Sequence, residues 1–132
     1  MDSIYDTLIW KQDCKQMLRA IETAGLVEIL TTDGPYTLFV LPDLYFDLKE
    51  IAERYGDVLA DQGAAIKFMK DITASGMFDL KSVVGTYTII MLSDKTNQLR
   101  RFDDGYQFED ANIIERDIVC TNGLIQLIDR VV

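Results

Sequence analysis

Histidine is absent from this 132-residue chain, and cysteine and proline occur only twice each. Without an imidazole there is no serine–histidine or cysteine–histidine dyad, no histidine-ligated metal and no access to the commonest general base. Cys14 and Cys120 alone cannot make a CxxC pair or a four-ligand zinc site. Both sit beside apolar patterns, which favours buried reduced thiols over a bridge. Glycine-rich phosphate loops and a Gly-x-Ser-x-Gly elbow are also missing. Long apolar runs are lacking too: Leu38–Leu41 and Ile89–Leu92 are strand-sized, far from the roughly 20 residues of a membrane helix, so no membrane insertion is expected. Basic charge is in deficit, with 13 Lys and Arg against 22 Asp and Glu and a net charge of −9. Such a field disfavours nucleic acid, whose phosphates are held by clustered Lys and Arg.

The carboxylates do not make up for these absences. Asp103-Asp104-Gly105 with Glu109-Asp110 is their densest group, but it lacks the alternate spacing of a calcium loop and reads as a turn. No pair of acids is marked out for acid–base work. The chain is therefore expected to be no enzyme and to carry no metal or cofactor.

What is present describes one folded domain over residues 1–132. With 48% hydrophobic and 27% charged residues, a chain of this size buries about two thirds of its surface in one core. The first half has helical spacing. Ser3 with Asp6 forms a capping pair, Asp13 with Gln16 repeats it, and Cys14, Met17, Leu18, Ile21 and Ala24 make a stripe ended by Gly25. Thr31–Pro35 is a turn, and Tyr36–Leu41 a strand apolar on both faces. Pro42-Asp43 opens another helix with Asp43 as N-cap and Leu44, Leu48, Ile51 and Tyr55 as its stripe, up to Gly56. Ala65, Phe68, Met69 and Ile72 form a further stripe, closed by Gly76.

After Gly85 the period shortens. Thr86–Leu92, Gln98–Phe102, Tyr106–Glu109, Ala111–Val119 and Leu124–Val132 read as strands, with Asn122-Gly123 as a tight turn. The expected class is α+β, helices mostly from the N-terminal half covering an antiparallel-looking set of strands. Leu38, Phe39, Val40, Ile113, Ile118, Ile125, Leu127 and Ile128 are expected at the centre of the core.

The block Asp117-Ile118-Val119-Cys120-Thr121-Asn122-Gly123-Leu124-Ile125-Gln126-Leu127-Ile128-Asp129-Arg130-Val131 resembles the second signature block of fasciclin domains. Thr37–Phe46 is similar to their first block, and Gly34-Pro35 and Ala24-Gly25-Leu26 also match, so the likeness runs from Ser3 to Val132. Three departures stand out. Leu41 and Pro42 replace the usual order of Pro and Thr, the family's Tyr-His pair is missing near Asp71-Ile72, and Gln126 stands where a His is usual.

The resemblance implies a fasciclin-like wedge or sandwich of about seven strands and a non-enzymatic, adhesion-type protein-interaction role. It also implies partner binding at Asp117-Ile118, flanked by Glu115 and Arg116. The acids Asp103, Asp104, Glu109, Asp110, Glu115 and Asp117 favour a basic protein partner, with binding that weakens in salt. The alternative is a carrier of a small apolar ligand such as a pigment or lipid, which needs an apolar groove. The acidic Met1-Asp2-Ser3 start has no signal-peptide pattern. It implies a cytoplasmic protein if Met1 is the natural start, and a secreted or cell-surface one otherwise, as for many fasciclin proteins.

Overall fold

Five helices and seven strands form, and the computed structural model describes residues 1–132. Helix α1 (Ile4–Lys11) starts where the Ser3 hydroxyl oxygen accepts from the Asp6 backbone N–H at 3.1 Å, and it buries Ile4 and Leu8. This satisfies one of the four N–H groups that a helix start leaves without an internal partner. Helix α2 (Lys15–Ala24) buries Met17, Ala20, Ile21 and Ala24, and Gly25 stops it in the left-handed region at φ 75°. The single turn α3 (Ile29–Thr32) takes in Thr31 and Thr32, so the expected turn shrinks to residues 33–35. Helix α4 (Leu48–Tyr55) is capped by Asp47, and α5 (Gln62–Asp71) by Asp61, which accepts from the Ala64 N–H at 2.8 Å.

Asp43 caps a helix, but not the one that follows it. Its carboxylate accepts from the Gln16 N–H at 2.8 Å, holding the start of α2 across 27 residues of chain. Asp13, expected in that role, lies against the Cys14 thiol instead. Residues Asp43–Tyr45 form only a 3-10 turn, and Leu44 is left 83% exposed. The expected stripe from Leu44 therefore begins four residues later, behind its own cap at Asp47.

The strands are β1 (Tyr36–Val40), β2 (Thr73–Ser75), β3 (Thr86–Ile90), β4 (Thr96–Phe102), β5 (Gly105–Phe108), β6 (Ala111–Cys120) and β7 (Gly123–Ile128). They form one mixed sheet in the order β2-β1-β7-β6-β5-β4-β3. Every pairing is antiparallel except β1 with β7, which is parallel with Leu38 opposite Ile125. Parallel strands need cover on both faces; β7 is buried at all six positions and β1 at all but Tyr36. Strand β2 was not expected from sequence, because Thr73–Ser75 continues the α5 stripe without a break. Gly76 follows that strand rather than the helix.

The sheet curls until its two edges meet. The Leu92 N–H, just past β3, donates to the Thr73 carbonyl of β2 at 2.8 Å, giving a barrel-like wedge. Inside it the Phe39 and Phe108 rings stack at 3.8 Å, joining β1 to a strand three places away in the sheet. Leu38, Phe39, Val40, Ile125, Leu127 and Ile128 are buried as expected. Ile113 and Ile118 are only half-buried. Register shifts between Ile113 and Glu115, and again between Glu115 and Ile118, bend β6 and turn these side chains toward the rim.

The β6–β7 turn fastens the amino end of the chain to the carboxyl end. Asn122 accepts from the Ile4 N–H at 2.8 Å and donates to the Asp33 carbonyl at 3.0 Å, and its own carbonyl receives the Tyr36 N–H. Beside it, a Cβ on Gly123 would lie 1.9 Å from the Tyr36 carbonyl oxygen. Only glycine permits that approach of β7 to β1.

Candidate interaction surface

The bulged stretch of β6 carries all four residues of the expected partner site, Asp117 and Ile118 with the flanking Glu115 and Arg116, and it treats them differently. Asp117 takes a left-handed conformation, φ 55°, which turns its side chain inward. One carboxylate oxygen accepts from the Leu80 N–H at 3.0 Å and from the Gln126 amide nitrogen at 2.9 Å. The Asp117 N–H in turn donates to the Gln126 side-chain oxygen at 2.8 Å. Gln126 is fully buried and also donates to the Phe78 carbonyl at 3.4 Å. This glutamine therefore sets the bulge and ties it to the loop ahead of β3. The visible sign in the sequence is one polar residue inside Leu124-Ile125-Gln126-Leu127-Ile128. Ile118 packs half-buried against the core.

What β6 offers to solvent is Asn112, Ile114, Glu115, Arg116 and Val119. Glu115 pairs with Lys11 of α1 at 3.0 Å. Partial burial works against the charged amine of Lys11, but the Glu115 contact outweighs it and raises the pKa. Arg116 lies 4.7 Å from the centre of the Tyr106 ring, a cation–π contact.

The acids expected to form one attractive face are divided among several tasks. Glu109 receives the Gln98 N–H at 2.8 Å, and Asp117 is used internally. Asp110 lies 3.9 Å from Arg130. Asp103 and Asp104, in the turn between β4 and β5, form no ion pair. The acids of this group left without such a contact are Asp103 and Asp104, at that turn.

Nucleophiles are muted. Cys14 and Cys120 are free and buried. Burial, aided by the Asp13 carboxylate, pushes the Cys14 thiol up to about 12. Burial also raises Cys120. Tyr55 is raised by burial and by its hydrogen bond to Asp71. Reactive thiols need the opposite environment, an exposed site with positive charge nearby. No three acidic or cysteine side chains are grouped to hold a metal ion, and no helix is long and apolar enough to cross a membrane.

Several clefts open on the surface. The one between the loop after β2 and strand β3, lined by Met77, Phe78, Val83 and Tyr87, has a volume of about 240 Å³. That is below the roughly 300–1,000 Å³ of small-molecule sites. A larger cleft of about 420 Å³ lies at the β4–β5 turn, between Arg101, Asp103, Tyr106 and Arg116.

Comparison with known proteins places these features in a family. The family model described as the fasciclin domain matches residues 12–132. Among 22 matching chains of known structure is a FAS1 domain pair from the insect cell adhesion molecule fasciclin I. It superposes with a TM-score of 0.79 at 15% identity, covering 98% of this chain and 50% of that one. The chain thus spans about half the length of that relative. No curated protein matches it.

Proposed function

The chain belongs to the fasciclin domain family, and we propose that residues 1–132 form one such domain, working as a non-catalytic, adhesion-type protein-interaction module. The observation that carries this reading is the division of labour on β6. Asp117 and Ile118 are held by Gln126 and the core, while Ile114, Glu115, Arg116 and Val119 are presented on a strand fixed beneath them. Interaction sites are enriched in arginine and aromatic groups, here Arg116 and the Tyr106 ring against it. The partner is a protein with basic residues opposite Asp103 and Asp104. Long-range attraction to a chain of net charge −9 speeds their encounter. The alternative, a carrier of a small apolar ligand, has its place in the cleft of about 410 Å³ along β3, lined by Phe78, Tyr87, Ile90 and Leu92.

The immobilised chain, exposed to an extract of its own source, is expected to retain a protein that is released by high salt. An Asp103→Lys, Asp104→Lys variant should lose it. Equal retention by the variant, at every salt concentration, contradicts this reading.

A further inference from the structure

Acids outnumber bases by 22 to 13, yet ion pairs occupy only Lys11, Arg54 and Arg130, and Arg101 and Arg116 are among the cations without a carboxylate within ion-pair distance. Both arginines gather at one ring. Arg101 on β4 stands opposite Tyr106 on β5 in the ladder, with its guanidinium carbon 6.0 Å from the ring centre. Arg116 reaches the same ring from β6 at 4.7 Å. Tyr106 thus steadies two like charges that repel each other until an anion joins them. Arginine suits that role because its planar fork meets a carboxylate through two parallel hydrogen bonds.

The rest of the cleft decides which anion fits. Phe102 and Ile114, each 47% exposed, give it an apolar rim. Asp103 and Asp104 line it too, so the two positive and two negative charges cancel. A multiply charged phosphate or sulfate gains from the arginines and loses to the aspartates. A single carboxylate with a cation next to it in the chain satisfies both pairs.

We propose that this cleft is a docking subsite for an acidic side chain of a protein partner, clamped by Arg101 and Arg116, with an adjacent base of the same segment facing Asp103 and Asp104. The subsite rests on the reading of the domain as an interaction module and adds the chemistry of one contact to it.

Titration of the isotope-labelled chain with a capped Glu-Lys-Glu-Lys peptide, followed by nuclear magnetic resonance, tests the proposal. The Nε–Hε signals of Arg101 and Arg116 and the Tyr106 ring signals should shift saturably at millimolar peptide. An Arg101→Ala, Arg116→Ala variant, with its backbone spectrum otherwise retained, should bind about tenfold more weakly or worse. Arg116→Lys should fall between, since it keeps the charge and loses the fork. No saturable shift, unchanged affinity in the double variant, or equal affinity for inorganic phosphate each overturns the proposal. If the double variant still retains the extract protein, the module reading stands and this cleft is not part of its contact.

Discussion

The strands divide into two regions built to different rules. Around β1 and β7 the sheet is covered on both faces, and ten of eleven residues are buried: four of five in β1 and six of six in β7. In the β3–β5 meander one face is wet, and the buried positions reduce to Ile89, Asn97, Leu99 and Phe108. The first region joins distant parts of the chain through the parallel β1–β7 ladder and the Asn122 anchor. The second is a run of local hairpins that can present side chains without endangering the core. Strand β6 belongs to both, paired with β7 on one side and β5 on the other, and its bulges mark the changeover.

The hardest way to break the contrast is to separate β7 from β1. Gly123→Val forces a side chain into the Tyr36 carbonyl, with an expected cost above about 4 kcal/mol. Loss of the cooperative thermal transition is the readout, and a stable variant refutes the described approach of the two backbones. Next comes a matched truncation. Leu38→Ala in the covered region should cost about 2–5 kcal/mol. Ile90→Ala in the meander, 63% exposed, should stay within about 0.5 kcal/mol in denaturant titration.

Gln126→Leu probes the join. It leaves the Asp117 N–H and the Phe78 carbonyl without their partner, at a cost of about 1–3 kcal/mol. An effect of the opposite sign is expected within the meander. Asn97 is 1% exposed, and neither its amide oxygen nor its nitrogen has a hydrogen-bond partner. Asn97→Leu should therefore raise stability by about 1 kcal/mol. A clear loss instead would reveal a buried water on that amide.

A pH series adds a readout at the start of α2. The Cys14 thiol is neutral in both states below its ordinary value of 9.0, so its stabilising contribution is complete there. The contribution is lost as pH rises from 9.0 through the folded value of about 12, where the unfolded chain ionises first. Cys14→Ala should flatten that alkaline slope in equilibrium unfolding. An unchanged slope assigns it to other groups, among them Tyr55, which is raised in the same sense.

Much of the covered region was legible in the sequence because its signals are local. The Ser3–Asp6 cap, the Gly25 stop, the two-sided apolar run at Tyr36 and the Asn122-Gly123 turn all act on nearby residues. The rest depends on partners far along the chain. Asp43 looked like the cap of the helix after it because nothing nearby reveals that Gln16 claims its carboxylate. Strand β2 is too short to show a period of two, and only pairing with β1 makes it a strand. At the candidate site, Glu115 and Arg116 lie exposed on β6 while Asp117 is held by Gln126, a contact that local sequence does not reveal because it is set by cross-strand register. The Arg101–Tyr106–Arg116 cluster was not foreseen. It requires three strands in register, and none of its residues stands out alone.

Native-state hydrogen exchange tests the division between the two regions most directly. Amides of Leu38 and Ile125 should exchange only through global unfolding, with protection equal to the full unfolding free energy. Ladder amides of β4 and β5 should open at distinctly lower free energy. Equal protection throughout, or faster exchange in β1 and β7 than in the meander, would contradict the account.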